Sequence, residues 1–288
     1  MLNLSGTLQK RFMKDKRNKT ISILGCGWLG LPLAERFAQE SFNVKGSTTT
    51  QEKLEKIQEA GGKAFIVEIS DIEVKGNDLN DFFDADIIIV NFPPRRRADI
   101  EENYPAQFEA MLPWLVKKPD LKVLLVSSTS VYPNLNQKVD ENFEGIPQKS
   151  SGKALLKVEN MLKSHKGEHM TVLRLAGLIG PERLPGRFLA GKKSLKNGNV
   201  PVNVIHRDDC LEIISQIVEQ DAWGKTYNGC ALNHPIRKDY YQKAAEAIGL
   251  EPPEFADEDE VSYKIVDGSK VLKELDITLK YPDPEKIS

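Results

Sequence analysis

Six residues constrain this chain more than any others: Gly25-Cys26-Gly27-Trp28-Leu29-Gly30, a G-x-G-x-x-G turn. It follows the β-rich run TISIL (20–24) and opens a stretch in which Leu29, Leu33 and Phe37 recur every four residues, the period of one helix face. Strand, glycine turn and helix in that order begin a parallel α/β sheet. The glycines differ in their physical roles. Gly25 permits the tight turn, Gly27 lets a pyrophosphate approach the backbone, and Gly30 lets the helix pack on the strand. The N–H groups of the helix start, which have no partner inside the helix, meet the phosphates. Pro32 fits this placement, because a first-turn proline gives up no helical hydrogen bond. The turn predicts dinucleotide contacts from Gly25, Cys26, Gly27, Trp28, Leu29 and Gly30; the competing reading is a purely structural turn.

The remainder keeps the same rhythm. Strand-like FNVKGS (42–47), KAFIVEI (63–69), DIIIV (86–90), KVLLV (122–126) and MTVLRL (170–175) alternate with helical stretches, including QEKLEKIQEA, a helix near 103–118 and one over 151–165 marked by Leu155, Val158 and Leu162. Beyond Gly180 the pattern loosens, with helices near 209–219, 238–248 and Lys270 and a short strand KIV. Such alternation predicts an α/β chain with a doubly wound parallel sheet of Rossmann type and a smaller C-terminal substrate lobe. The expected division is an N-terminal extension over 1–19, a dinucleotide-binding domain over 20–180 and 206–232, and a small lobe over 181–205 and 233–288. The cleft between the lobes is the expected site.

Composition narrows the class of partner. The 288 residues carry 40 Lys+Arg against 42 Asp+Glu, a formal charge of −2, with 40% apolar and 28% charged residues. Nothing in that balance draws the whole molecule onto nucleic acid or an anionic membrane, so a small-molecule substrate is expected. The longest apolar runs fall far below the ~20 residues of a membrane helix. Cys26, Cys210 and Cys230 lie far apart, without metal-ligand spacing, and an odd count argues against a disulfide framework. A cytoplasmic protein without a metal site is the expectation. The four histidines form no ligand or triad spacing, and the residues set no oligomeric state.

Cofactor choice is read at the end of the second strand. An NAD site usually places Asp or Glu about 20 residues beyond the glycines to take the ribose 2′-hydroxyl. Here the segment is Gly46-Ser47-Thr48-Thr49-Thr50, without an acid. Small hydroxyls at Ser47, Thr48 and Thr49 accommodate a 2′-phosphate, with Lys53 or the Arg95-Arg96-Arg97 run as the source of charge. The segment therefore leans to NADP, with NAD as the other candidate. In the alternative reading the threonines merely cap a helix beginning near Gln51.

Three further motifs carry a family resemblance: Ser127-Ser128-Thr129-Ser130-Val131-Tyr132 at the end of the fifth strand, Arg174-Leu175-Ala176-Gly177-Leu178-Ile179-Gly180-Pro181 at the sixth, and Val204-Ile205-His206-Arg207-Asp208-Asp209. In that order behind the glycine turn they resemble the extended short-chain dehydrogenase/reductase superfamily, which contains nucleotide-sugar epimerases and dehydratases. GWLGLPLA, SSTSVY, RLAGLIGP and the ending YPDP are most similar to its atypical subgroup represented by bacterial YeeZ proteins. The resemblance covers nearly all of residues 20–288. It implies that Ser128 hydrogen-bonds the reacting oxygen and that Asn91, Phe92, Pro93, Ser127, Leu175 and Leu178 line the cofactor; the alternative for Asn91 is simply to end the fourth strand, and for Leu175 and Leu178 to be ordinary core. It also implies that His206 and Asp209, in a family motif joining the lobes, are structural, and it puts Arg187 at the cleft, either to clamp an anionic substrate or as a solvated arginine.

The chain departs from the superfamily where the proton would move. There a tyrosine acts as general acid/base, tuned by a lysine four positions on. Counting back from Glu159, Ser151 stands at the tyrosine position and Leu155 at the lysine position, and none of the seven tyrosines has a lysine at i+4. Lys149 and Lys153 form an i, i+4 pair nearby, read as solvated lysines in preference to a base. Gly177 replaces a substrate-contacting asparagine, and Thr129-Ser130 replaces the dehydratase acid pair. Two functions stay open. One is an NAD(P)-dependent oxidoreductase or epimerase-like enzyme using Ser128; the other is a non-catalytic NAD(P)H-binding sensor or regulatory protein.

Overall fold

The structure, a computed structural model, describes residues 19–256 and 261–287. The extension expected over 1–19 lies outside the described residues apart from Lys19. The elements follow in chain order as β1 (Thr20–Leu24), α1 (Gly30–Gln39), β2 (Asn43–Thr48), α2 (Leu54–Glu59), β3 (Lys63–Ile69), β4 (Val74–Gly76), α3 (Leu79–Phe83), β5 (Ile87–Val90), α4 (Ile100–Val116) and β6 (Lys122–Ser128). After these come β7 (Gln137–Val139), α5 (Ser150–Lys166), β8 (Met170–Leu175), β9 (Gly177–Ile179), α6 (Gly186–Leu189), β10 (Val204–His206) and α7 (Arg207–Glu219). The chain closes with β11 (Thr226–Gly229), α8 (Arg237–Glu246), β12 (Lys264–Val266) and α9 (Ser269–Glu274).

Among the described residues, eight strands form one sheet in the order β11-β8-β6-β5-β1-β2-β3-β4. From β6 through β5, β1 and β2 to β3 the pairing is parallel, and at the β3–β4 edge Glu68 faces Lys75 in an antiparallel pair. This is the doubly wound sheet expected from the sequence. The chain leaves β1 toward β2 and β3, then returns to β5 on the other side of β1. The reversal therefore falls between β1 and β5, where an open α/β sheet leaves room for a ligand at the carboxyl ends of its strands.

The central strands are apolar because helices bury both faces. Ile21, Ile23, Ile88, Ile89 and Val90 are fully buried, as are Leu33 and Phe37 on the face of α1 that the four-residue period marked. In α4 the described start is Ile100, earlier than the helix expected near 103, and the helix contains Pro105. A proline cannot donate to the carbonyl four residues back. That carbonyl, on Glu101, accepts instead from Lys157 Nζ at 3.2 Å.

The chain divides into two compact units. One comprises the chain up to Ser127 with Lys157–Val172 and Trp223–Lys225; the other comprises Ser128–Leu156, Leu173–Ala222 and the chain from Thr226. The second unit holds two small parallel pairings, β9 with β10 and β12 with β7. Its local core gathers Ile179, Val202, Val204 and Tyr240. Helices α6 and α8 touch closely: a Cβ on Gly186 would stand 2.1 Å from the Ala244 carbonyl oxygen. Beyond Gly180 only KIV and the helices near 209–219, 238–248 and Lys270 were expected; the unexpected strands, β9 just before Gly180 and β10 and β11 after it, have three or four residues each, too short for periodicity to show.

Candidate cofactor and substrate sites

The glycine turn is built by close approach of three segments. Gly25 has φ +103°, a conformation that a side chain disfavours, and a Cβ there would lie 2.7 Å from the Asn91 carbonyl oxygen. A Cβ on Gly30 would lie 2.2 Å from the Gly25 carbonyl oxygen. Gly27 is the opposite case, exposed and with nothing within 4 Å of an added Cβ. Two of the glycines thus close the turn, and the third leaves a space above its backbone.

Ser47, at the end of β2, holds the turn from below. Its hydroxyl accepts from Gly25 N at 3.0 Å, and its carbonyl accepts from Cys26 N at 2.8 Å. Cys26 is buried, which pushes its thiol up to about 12, so its place in the motif is one of packing and not of thiolate chemistry. Helix α1 starts at Leu29 with no side chain capping it.

In front of the turn lies a cavity of about 670 Å³ within the first unit. Gly25, Cys26, Gly27, Ser47, Thr48, Thr49, Phe92 and Pro93 all line it, together with Lys53 and Arg95. Of the arginine run, Arg97 is engaged by Asp99 at 2.7 Å, and Arg95 alone reaches the lining. Thr50 stands at the start of the 3₁₀ turn over Gln51–Lys53 without a side-chain capping bond of its own, while Thr48 Oγ1 accepts from Thr50 N at 3.3 Å. A backbone open at Gly27, an uncapped helix start and a lining of small hydroxyls and cations fit a phosphate-bearing dinucleotide.

The lining also contains Val67, Glu68, Ile69, Ser70 and Gln107, which sequence reasoning missed. A usable signal existed for the first four, since Val67, Glu68 and Ile69 end β3, Ser70 directly follows it, and a parallel sheet gathers its ligand at the carboxyl ends of strands. Gln107 had none: it comes from α4, and its Nε2 donates to the Ile69 carbonyl at 2.9 Å.

Phe92, within the lining, stacks on Phe108 with ring centroids 5.3 Å apart, and its carbonyl accepts from Tyr104 Oη. The other cofactor residues expected in this unit stand apart from the lining. Asn91 Nδ2 donates to the Gly25 carbonyl at 3.1 Å, buttressing the turn. Ser127 is buried and donates to Glu159 Oε1 at 2.6 Å. Trp28 is half-buried, while Leu29 and Gly30 are buried in the turn's packing.

Ser128, Leu175, Leu178 and Arg187 belong to the second unit. The Ser128 hydroxyl is half-buried and accepts from Ser130 N at 3.2 Å. A hydroxyl that accepts one hydrogen bond keeps its own proton to donate. Leu175 is buried at the end of β8, Leu178 is half-buried in β9, and Arg187 is exposed on α6. Tyr132 is committed to structure: it accepts from Arg174 at 2.8 Å and donates to Asn228 Oδ1 at 2.9 Å. His206 and Asp209 hold the C-terminal segment, His206 by packing its ring 3.8 Å from that of Tyr281 and Asp209 by accepting from Lys280 N and Tyr281 N. Among the described residues no three His, Cys, Asp or Glu gather as metal ligands, and no helix is long and apolar enough to cross a membrane.

Comparison with known proteins agrees with this geometry. A family model described as NADP oxidoreductase, coenzyme F420-dependent, matches residues 20–110. Protein YeeZ of Escherichia coli (strain K12) is 35% identical over 268 residues, covering 92% of this chain and 97% of that protein. Among solved structures, a functionally unknown conserved protein from Silicibacter pomeroyi DSS has a TM-score of 0.76 at 21% identity over 93% of this chain and 96% of its own. The dTDP-glucose 4,6-dehydratase of Bacillus anthracis str. Ames, in complex with NAD, has a TM-score of 0.74 at 16% identity over 92% of each chain. At such identities the two solved structures bear on the fold.

Proposed function

Because the chain belongs to the YeeZ family within the extended short-chain dehydrogenase/reductases, we propose that it is an NAD(P)-dependent oxidoreductase or epimerase-like enzyme acting on a small polar substrate. The observation that carries the reading is the cavity at the glycine turn, open above Gly27. A bound nicotinamide cofactor supplies the hydride acceptor or donor. The chain's own part is to hold the cofactor phosphates at Gly25–Gly30 and to polarise the substrate's reacting oxygen by a hydrogen bond from the Ser128 hydroxyl, with the transferred proton carried by water. We read the cofactor as NADP, because Thr49, Lys53 and Arg95 face the cavity and β2 ends without an acid. Free, buried Cys26, Cys210 and Cys230 support a reducing, cytoplasmic setting.

Fluorescence titration with NADPH and NADH tests the reading. Wild-type protein binds NADPH more tightly than NADH, and Gly27→Asp abolishes both. Survival of binding in that variant removes the phosphate-turn assignment. Selectivity is tested at Thr49, which is exposed in the cavity, since Ser47 is buried and occupied with Gly25. Thr49→Glu weakens NADPH and spares NADH; equal loss for both overturns the NADP assignment.

One observation favours a second reading, a non-catalytic NAD(P)H-binding sensor: no tyrosine has a lysine at i+4. Nucleotide binding without hydride exchange to any hydroxylated or carbonyl compound distinguishes it from the first.

A further inference from the structure

Two lysines come to the loop that begins at Ser128. Lys264 starts β12, paired through Gln137 to β7, and its Nζ donates to the Tyr132 carbonyl at 2.6 Å. That carbonyl follows the single 3₁₀ turn over Thr129–Val131 which Ser128 caps. Lys149 stands immediately before α5, and the first turn of this helix lies on the same loop: a Cβ on Gly152 would sit 2.2 Å from the Ser130 carbonyl oxygen. The strand carrying Lys264 is held in place by Asn203, whose Nδ2 donates to the Lys264 carbonyl and whose Oδ1 accepts from Val266 N.

The carboxylate on the same segment, Asp267, lies 2.8 Å from Lys138 Nζ, and Glu141 accepts from Asn228 N. Among the described residues no carboxylate pairs with Lys264 or Lys149. Lys264 is half-buried, and that desolvation, followed by the charge of Lys149, lowers its ammonium to about 8. Two like charges brought to one loop, with no counter-charge on them among the described residues, are relieved by proton loss or by an incoming anion.

We propose that Lys149 and Lys264 form an oxyanion subsite that takes a carboxylate or phosphate of the substrate whose reacting oxygen Ser128 engages. The idea rests on the reading of Ser128 as the substrate contact. The Lys264 ammonium has donors to spare beyond the Tyr132 carbonyl, since an ammonium carries three. Exposed Lys149 adds a second charge at the start of α5, the positive end of that helix. Binding of an oxyanion favours the protonated form of Lys264 and therefore raises its titration midpoint.

Trace acetylation of the full chain with acetic anhydride across pH 6–11, each lysine quantified by mass spectrometry, tests the subsite. The probes are malonate and inorganic phosphate. Without them Lys264 titrates near pH 8; with saturating malonate or phosphate its midpoint rises by about one unit, and its labelling at neutral pH falls about tenfold. A response to malonate alone marks a substrate carboxylate, and one to phosphate alone a phosphate. Lys149→Met, at an exposed position, raises the free midpoint and removes the anion response. A Lys264 midpoint near that of exposed lysines, or a midpoint that neither anion moves, overturns the subsite. Ser128→Ala leaves the anion response intact, so failure of the Ser128 reading gives a different result from failure of the subsite.

Discussion

Asn91 Nδ2 donates to the carbonyl oxygen of Gly25 across 66 residues of sequence, joining the ends of β5 and β1 at 3.1 Å. The same strand ends meet a second way, because Asn91 N donates to Leu24 O at 2.9 Å and continues the ladder into the turn. Asn91 is thus a brace for the glycine turn, a role that neither ending a strand nor touching a ribose requires.

Asn91→Ala removes the side-chain bond at a part-buried site, which costs about 0.5–1.5 kcal/mol. The turn loosens where phosphates are expected to bind, so NADPH affinity falls about three- to tenfold. Thermal unfolding and nucleotide titration on the same preparation check both effects. A variant that loses stability but keeps full affinity separates the brace from the site.

The three glycines separate by what they do. Gly25→Ala forces a side chain onto φ +103° and into the Asn91 carbonyl, and Gly30→Ala drives one into the Gly25 carbonyl. Each destabilises the protein by about 1–3 kcal/mol. Gly27→Ala meets nothing within 4 Å, so its melting temperature stays near wild type while NADPH affinity drops. Melting curves paired with titrations for the three variants decide the assignment, and equal destabilisation by all three would contradict it.

Ser127 and Glu159 form a buried pair at 2.6 Å. Ser127→Ala takes away one donor from a carboxylate that has no exposure to water, at a cost of about 1–3 kcal/mol. NADPH affinity is unchanged, because the Ser127 hydroxyl points to Glu159. Urea denaturation and titration of the variant make the comparison; weakened nucleotide binding at wild-type stability would return Ser127 to the cofactor.

Acid pH destabilises the fold through two imidazoles, buried His206 and half-buried His234. Burial lowers His206, whose Nδ1 accepts from Asp208 N and so is held neutral, and burial likewise lowers His234. Their folded values lie below the unfolded value of about 6.5, so between the two the unfolded chain binds more protons and stability rises with pH. The unfolding free energy therefore falls as pH drops from 7.5 to 5.5. Chemical denaturation over that window shows a shallower slope for His206→Gln; an unaltered slope excludes His206 as a source.

Much of the first unit was legible because its signals are local. TISIL, the glycines and the Leu29-Leu33-Phe37 spacing lie within 18 residues, and the resulting strand, turn and helix depend on little beyond them. The short strands were not legible. Gly177–Ile179 becomes β9 by pairing with Val204–His206, and Lys264–Val266 pairs with Gln137–Val139 more than a hundred residues away. For three-residue elements the partner decides the conformation. The same division runs through the candidate sites. Gly27 and Thr49 announce themselves by spacing, whereas the placing of Gln107 in the cavity and of Lys264 on the Tyr132 carbonyl exists only once distant segments meet.

Ser47 commits both of its oxygens to the glycine turn, while Thr49, two residues later, is exposed with its side chain in the cavity. One short strand end thereby splits two duties between nearby positions: an anchor that tolerates little change, and a reader that is free to vary. Descendants of this fold can drift in ribose preference at Thr49 and Lys53 without re-solving how the phosphate loop is built. Variation among relatives should accordingly concentrate at the reader and spare the anchor.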